Sequence, residues 1–307
     1  MKPAALALTI TAFLMAVLAA SPGPAGQPAR FRAGTRLVVI HATVRNGRGE
    51  IVTTLNRDAF TVYENGRRQP IEIFRRDDLP VSLGLLIDNS GSMRALRGKV
   101  EAAALALARA SNPDDEMFVV NFNDKARVDV PLTGDVRVLE SGIRRADAIG
   151  GTAMRDAIEL AQHYLDEHGT RDRKVLLVVT DGIDNASVAT RELVERQADR
   201  RDTVIFAMGL FGDEQRSKRG RAELDELVAR TGGLASYPAG VDEIEPAAIE
   251  IAHQIRSQYT IAYTPSNQAL DGSYRSIRIT ANGPGRLSVR TRAGYVATAD
   301  RPPTGDW

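Results

Sequence analysis

The sequence predicts an α/β fold: a doubly wound, mostly parallel sheet with small β segments on its N- and C-terminal sides. Three observations carry this. Short apolar runs recur within 81–257, at 83–87, 117–122, 174–180 and 203–208. Between them lie stretches of helical period, several rich in Ala and Leu. Outside them, 35–76 and 258–297 show strand-like alternation only. Apolar runs this short suit strands buried on both faces, and strands alternating with helices argue for a parallel sheet.

Taken in order, residues 1–20 read as a secretory signal peptide. Lys2 is followed by an apolar, Ala-rich run to Ala20 and then Ser21-Pro22-Gly23-Pro24. The alternative is an uncleaved anchor, for which the run is somewhat short. No Cys follows that could carry a lipid. Residues 21–34 are a polar leader. In the β unit 35–76, residues 35–44 read as a strand, and Asn46-Gly47 marks a turn. Residues 60–63 and 71–74 alternate around Glu64-Asn65-Gly66 and predict a hairpin. Residues 75–80 join this unit to the central domain, 81–257.

There, 83–87 is a strand and 94–111 a helix. Residues 117–122 are a strand, and 126–132, alternating Val with charge, an edge strand. Residues 135–148 read as helix. In 152–167, Ala153, Ala157, Leu160, Ala161 and Tyr164 fall at helical spacing. Strand 174–180, the charged helix 190–200 and strand 203–208 follow. Helix 221–231 ends on Gly232-Gly233, a common helix stop. A short strand at 234–237 precedes helix 241–257, which carries Ile244, Ala248, Ile251, Ala252 and Ile255 on one face. The C-terminal β unit, 258–297, offers strands at 259–263, 274–280 and 287–291, and 298–307 reads as a loose tail.

The 307 residues carry 40 basic and 39 acidic side chains, a formal net charge of +1. No basic excess points to nucleic acid, and no second apolar run is long enough to span a bilayer once the signal is removed. The absence of cysteine excludes disulfides, thiolate metal sites and Cys nucleophiles, and is compatible with export to a periplasmic or extracellular location.

The chemistry concentrates where the first apolar run stops, at Asp88-Asn89-Ser90-Gly91-Ser92. This is a strand-to-helix loop at the carboxyl end of a central strand, where open α/β sheets place their ligands. One carboxylate and two hydroxyls suit a hard cation such as Mg²⁺ or Mn²⁺ but are too few for an octahedron. Thr152, opening a helix after Gly150-Gly151, and Asp181, following the 174–180 strand, supply further oxygens. Taken alone, the Asp88 loop is as well explained by helix capping.

Asp88, Ser90, Ser92, Thr152 and Asp181 together resemble the metal-ion-dependent adhesion site of the von Willebrand factor type A domain, whose pattern is Asp-x-Ser-x-Ser, a loop Thr and a later Asp. Every slot is filled. The flanking Asp58 to Gly66 stretch and the terminal Arg292-Ala293-Gly294-Tyr295 resemble exported bacterial, Acidobacteria-type members of that family. The resemblance implies a divalent cation held by hydroxyls and carboxylates, with one position left for an Asp or Glu of a protein partner. Asn89, Asn123 and Asp184 are candidate rim residues, and Gly91 allows close backbone approach. In related domains the last helix shifts when the metal site rearranges, which here would pull on the strand at Tyr259.

Other constellations carry less. Gly91 to Lys99 departs from a phosphate loop in spacing, and Val100 stands where Ser or Thr belongs. His163 and His168 are five apart and do not share a helix face as a zinc pair would, while His41 and His253 read as packed histidines. Asp114-Asp115-Glu116 reads as a solvated acidic turn. A phosphoryl-transfer enzyme of the haloacid dehalogenase type would want a second Asp where Ser90 stands, so leaving-group protonation lacks a donor. A Gly-x-Ser-x-Gly elbow is also missing. The expectation is a binding module and not an enzyme, the other alternative being an envelope scaffold with a non-functional metal site.

Overall fold

The structure, a computed structural model, describes residues 37–76, 78–143, 148–211 and 214–298. The predicted signal peptide and leader, and the tail beyond Thr298, lie outside these residues.

The described chain begins with four strands, β1 (Val38–Arg45), β2 (Phe60–Glu64), β3 (Arg67–Gln69) and β4 (Ile73–Arg75). The return arm of the hairpin from β2 is β3, and not the 71–74 run expected from alternation. Asn65 and Gly66 both take positive φ, 48° and 77°, which turns the chain back after two residues. The polar Arg67-Arg68-Gln69 then lies at a sheet edge, so it carries no apolar signal. The apolar β4 crosses to a different sheet.

Next come β5 (Val81–Asp88), α1 (Arg97–Ala110), β6 (Glu116–Phe122), β7 (Ala126–Thr133), α2 (Val136–Ile143) and α3 (Met154–His168). They are followed by β8 (Arg173–Thr180), α4 (Arg191–Arg200), β9 (Val204–Gly209), α5 (Glu214–Thr231), β10 (Ala235–Ser236) and α6 (Ile244–Arg256). The six strands form one sheet in the order β10-β9-β8-β5-β6-β7, parallel except for the edge strand β7. This is the predicted doubly wound arrangement. The chain winds outward from β5 in one direction to β7, then from β8 in the other, so the order reverses between β5 and β8.

Every residue of β5 is buried, as its unbroken apolar run requires. Leu83, Leu85 and Ile87 face α1, α2 and α6, and Leu86 faces α3, α4 and α5. Gly84 shares the second face because Phe118 and Leu176 fill the space above it. An ideal Cβ there would stand 2.5 Å from Phe118 Cζ and 2.6 Å from Leu176 Cδ2.

The chain leaves α6 at Ser257 and enters β11 (Tyr259–Tyr263), then β12 (Tyr274–Ala281), β13 (Ser288–Arg290) and β14 (Gly294–Val296). The sequence draws two β units, 35–76 and 258–297. The structure interleaves them in two four-stranded sheets, β13-β1-β11-β4 and β14-β12-β2-β3. Their inner faces share one core built from both segments, including Ile40, Val62, Tyr259, Ile261 and Ile279. Neither segment has apolar surface enough to fold alone, and pairing across the sequence solves this. Within that core Glu64 accepts from Tyr263 Oη at 2.7 Å and Tyr295 Oη at 2.8 Å, and pairs with the fully buried Arg275 at 3.4 Å. The α/β domain is thus inserted into a β unit between β4 and β11, which pair with each other through Arg75 and Thr260.

The acidic turn before β6 is only partly solvated, Asp114 being its one exposed acid. Asp115 is buried and accepts the amides of Val81 and Asn112 at 2.8 and 2.9 Å. Glu116 accepts the Ser82 hydroxyl at 2.6 Å and the Thr170 amide at 2.7 Å. Both carboxylates tie the lower ends of the strands together.

Candidate metal centre

The parallel register pairs Ile87 with Val179, so Asp88 and Thr180 end β5 and β8 side by side. This is the switch point of the sheet, where two neighbouring loops diverge and leave a crevice. Asp88 is 1% exposed. Its Oδ1 accepts the Ser90 amide at 2.8 Å, and its Oδ2 accepts the Thr180 hydroxyl at 2.6 Å. Burial pushes the Asp88 carboxyl up to about 6. The Thr180 and Ser90 hydrogen bonds oppose that rise, and the charge of Asp181 adds to it.

From Asp88 the chain makes a single turn, Gly91–Ala95, before α1. That turn brings Ser90 Oγ to 3.1 Å from Ser92 Oγ, and Ser92 Oγ donates to Asp181 Oδ1 at 2.7 Å. Four of the five predicted residues are therefore joined by hydrogen bonds across the crevice.

Thr152, the fifth, arrives on the loop before α3. Its amide donates to Asn185 Oδ1 at 2.8 Å, and its carbonyl accepts from Asn185 and Ala186 at 3.0 and 3.2 Å. The preceding Gly151 amide donates to Asp124 Oδ1 at 2.7 Å. Gly150 has φ +83°, and an ideal Cβ on it would lie 2.2 Å from Asp124 Oδ2, so only glycine lets the loop lie this close. An ideal Cβ on Gly182 would lie 3.3 Å from Thr152 Oγ1, which puts that hydroxyl beside the residue following Asp181. Gly91 donates to the Gly150 carbonyl at 3.1 Å and stitches the first loop to the second.

The three rim candidates are engaged in bracing these loops. Asn89 is buried and donates to Asn121 Oδ1 at 2.6 Å. Asn123 accepts the Ala153 amide on its carbonyl at 2.7 Å. Asp184 takes the Arg155 amide at 2.7 Å and its guanidinium at 3.0 Å, closing the N-terminus of α3. Sequence reading missed Thr180, whose signal was available: it is the one hydroxyl ending a run of five apolar residues.

The donor set fits a divalent cation. It consists of two carboxylates and three hydroxyls, all oxygen, at a sheet edge. Among the described residues no three His, Cys, Asp or Glu gather as a metal cluster, so a cation here would depend on hydroxyls. Two carboxylates joined through Ser92, one of them buried, form a concentration of negative charge that a cation would relieve.

Residues 83–183, from β5 through the Asp181 loop, match the family model of the von Willebrand factor type A domain. Over that third of the chain the sequence is similar to the von Willebrand factor type A domain, and the fold agrees. Among solved structures, a von Willebrand factor type A protein from Catenulispora acidiphila superposes with a TM-score of 0.53 at 14% identity, covering 89% of this chain and 77% of that one. Proximal thread matrix protein 1 from the mussel byssus, described with a zinc-occupied MIDAS motif, gives a TM-score of 0.51 at 18% identity, over 63% of this chain and 50% of its own. At these identities the likeness is one of fold. No curated protein matches the chain. Among the described residues no helix is long and apolar enough to cross a membrane.

Proposed function

We propose that this protein is an exported, metal-dependent protein-binding module. Asp88, Ser90, Ser92, Thr152 and Asp181 would hold one divalent cation, Mg²⁺ or Mn²⁺, and the captured group would be an Asp or Glu carboxylate of a protein partner. The observation that carries the reading is the hydrogen-bonded run from Asp88 through Ser90 and Ser92 to Asp181, with Thr152 facing the same loop.

A bound cation supplies a Lewis-acidic position for an incoming carboxylate. The protein's own part is to place neutral hydroxyls there; were Ser90, Ser92 and Thr152 to bind directly and Asp88 and Asp181 through water, most of the ion's pull would be left for the partner. Thr180 and the Ser90 amide hold the Asp88 carboxylate in place, while Asp124, Asn185 and Asp184 fix the Thr152 loop. The site's hydroxyls are paired with carboxylates, weak bases for activating an alcohol, which favours binding over catalysis. The zinc in the mussel protein's site makes Zn²⁺ a third ion to test.

The test is calorimetric titration of Mg²⁺, Mn²⁺ and Zn²⁺ into wild type and Asp88→Ala, followed by partner pull-down from envelope extracts with and without chelator. Wild type should bind one ion that Asp88→Ala does not, and chelator should abolish capture. Capture that persists without metal would favour the scaffold alternative.

A further inference from the structure

The end of the sheet opposite the metal centre holds a second feature, roughly 23 Å away along the eight residues of β8. A cavity of about 250 Å³ lies there between the β unit and the α/β domain. Arg75 of β4 and His41 of β1 line it from one side, and Arg171 and Arg173 at the head of β8 from the other.

Arg173 is 3% exposed. Its Nη2 donates to Gln258 Oε1; its Nε and that of Arg171 are shut away from solvent without an acceptor, so the Nη ends are what the cavity can reach. Carboxylates stand near Arg173 but are engaged elsewhere. Asp115 holds the Val81 and Asn112 amides, and Asp78 pairs with Arg256. Of the two acids in the lining, Asp202 pairs with Arg292 and Asp172 is exposed. Burial pulls the Arg173 guanidinium down to about 10, against the pull of Asp115 and Asp78. Burial, then Arg173 and Arg292, push His41 down to about 3 and keep it neutral. The lining sets Arg75, Arg171 and Arg173 beside Asp172 and Asp202, and Glu116 stands near Arg171.

A guanidinium buried this deeply carries a desolvation cost that an oxyanion at its Nη end offsets, and its planar fork matches a carboxylate. With acids this close to the arginines, a monoanion is favoured over a phosphate dianion. Val39, Leu79 and Pro80 provide apolar wall for a carbon body. We propose that this cavity binds a small, free organic monocarboxylate, its oxygens taken by Arg171 and Arg173 and its body lying on Val39, Leu79 and Pro80. Because the walls come from both the β unit and the inserted domain, the bound acid would also stiffen their junction.

The test uses the full chain and four probes: benzoate, benzamide as its neutral match, inorganic phosphate, and a tripeptide with a free C-terminus. Binding is followed by calorimetry and by the arginine Nε–H resonances in ¹H–¹⁵N spectra. Benzoate should move the Arg171 and Arg173 resonances and raise the melting temperature, while benzamide and phosphate should do neither. Arg171→Gln should weaken benzoate about tenfold or more. Arg173→Gln removes the partner of Gln258 and risks unfolding, so Arg171→Gln and the spectra decide the matter. Unmoved resonances at saturating benzoate, or full affinity in Arg171→Gln, would overturn the site. Preference for phosphate would overturn the monocarboxylate, and tighter binding of the tripeptide would overturn the free acid.

Discussion

Thr180→Val tests the metal reading at a residue that touches no ion. The substitution keeps the shape of the fully buried Thr180 and removes the hydroxyl that donates to Asp88 Oδ2 at 2.6 Å. A hydrogen bond to a charged group contributes about 1.5–3 kcal/mol net. In the metal-free protein Asp88 can answer the loss by keeping a proton, since burial already holds its carboxyl near 6. In the metal-bound protein the carboxylate must be ionised and takes the whole loss, whereas at pH 7 the free protein limits its own loss to about 1.4 kcal/mol by keeping a proton. The difference, up to about 1.6 kcal/mol, should weaken cation binding by up to about 15-fold. Thr180→Ser, which restores the donor, should recover affinity to within about threefold of wild type. The assay is calorimetric titration of Mg²⁺ and Mn²⁺ at neutral pH, with thermal melts showing that each variant is folded. A folded Thr180→Val protein with wild-type affinity would refute the reasoning. It would mean that the Asp88 carboxylate is not part of the cation's support.

Three further outcomes are expected. Gly84→Val drives a branched side chain into Phe118 and Leu176 and should destabilise the domain by about 2–3 kcal/mol or prevent folding; a denaturant midpoint equal to wild type would contradict the packing described. Glu64→Gln leaves the buried Arg275 with only the half-exposed Asp271 as counter-charge and should cost about 3 kcal/mol, read by urea unfolding, whereas a loss under about 1 kcal/mol would show the network to be unimportant. His41 titrates near 3 when folded and near 6.5 when unfolded. The unfolded chain therefore takes up the proton first, and stability present above about pH 6.5 is lost as pH falls toward 3, by up to ~4 kcal/mol. His41→Gln should flatten that part of the stability-versus-pH curve, and parallel curves for the two proteins would exclude His41 as its source.

The central sheet was legible because strands buried on both faces leave continuous apolar runs, as in 83–87 and 174–180. Asp88, Ser90 and Ser92 were legible because a polar triplet cuts such a run short. What was hidden depends on partners far away in sequence. Nothing local in 35–45 or 259–263 says that β1 pairs with β11, and the polar β3 has no apolar face to announce it. Asp115 sits among acids in a Pro-containing turn, so composition reads it as solvated, yet two backbone amides draw it inside. Arg173 stands just before the 174–180 run with no local sign of burial, and only the closure of the β unit over it makes it a buried cation.

Strands β4 and β11 lie side by side, with Arg75 opposite Thr260 and everything from 76 to 258 looped out between them. Two neighbouring chain crossings are thus the covalent tether of the α/β domain, and both are at the end of the sheet remote from Asp88. Such a tether permits transplantation. A short turn could bridge the gap and leave a miniature β protein, and another domain whose ends lie as close together could be spliced into the same seam. The carrier would stay as it is whatever passenger it holds.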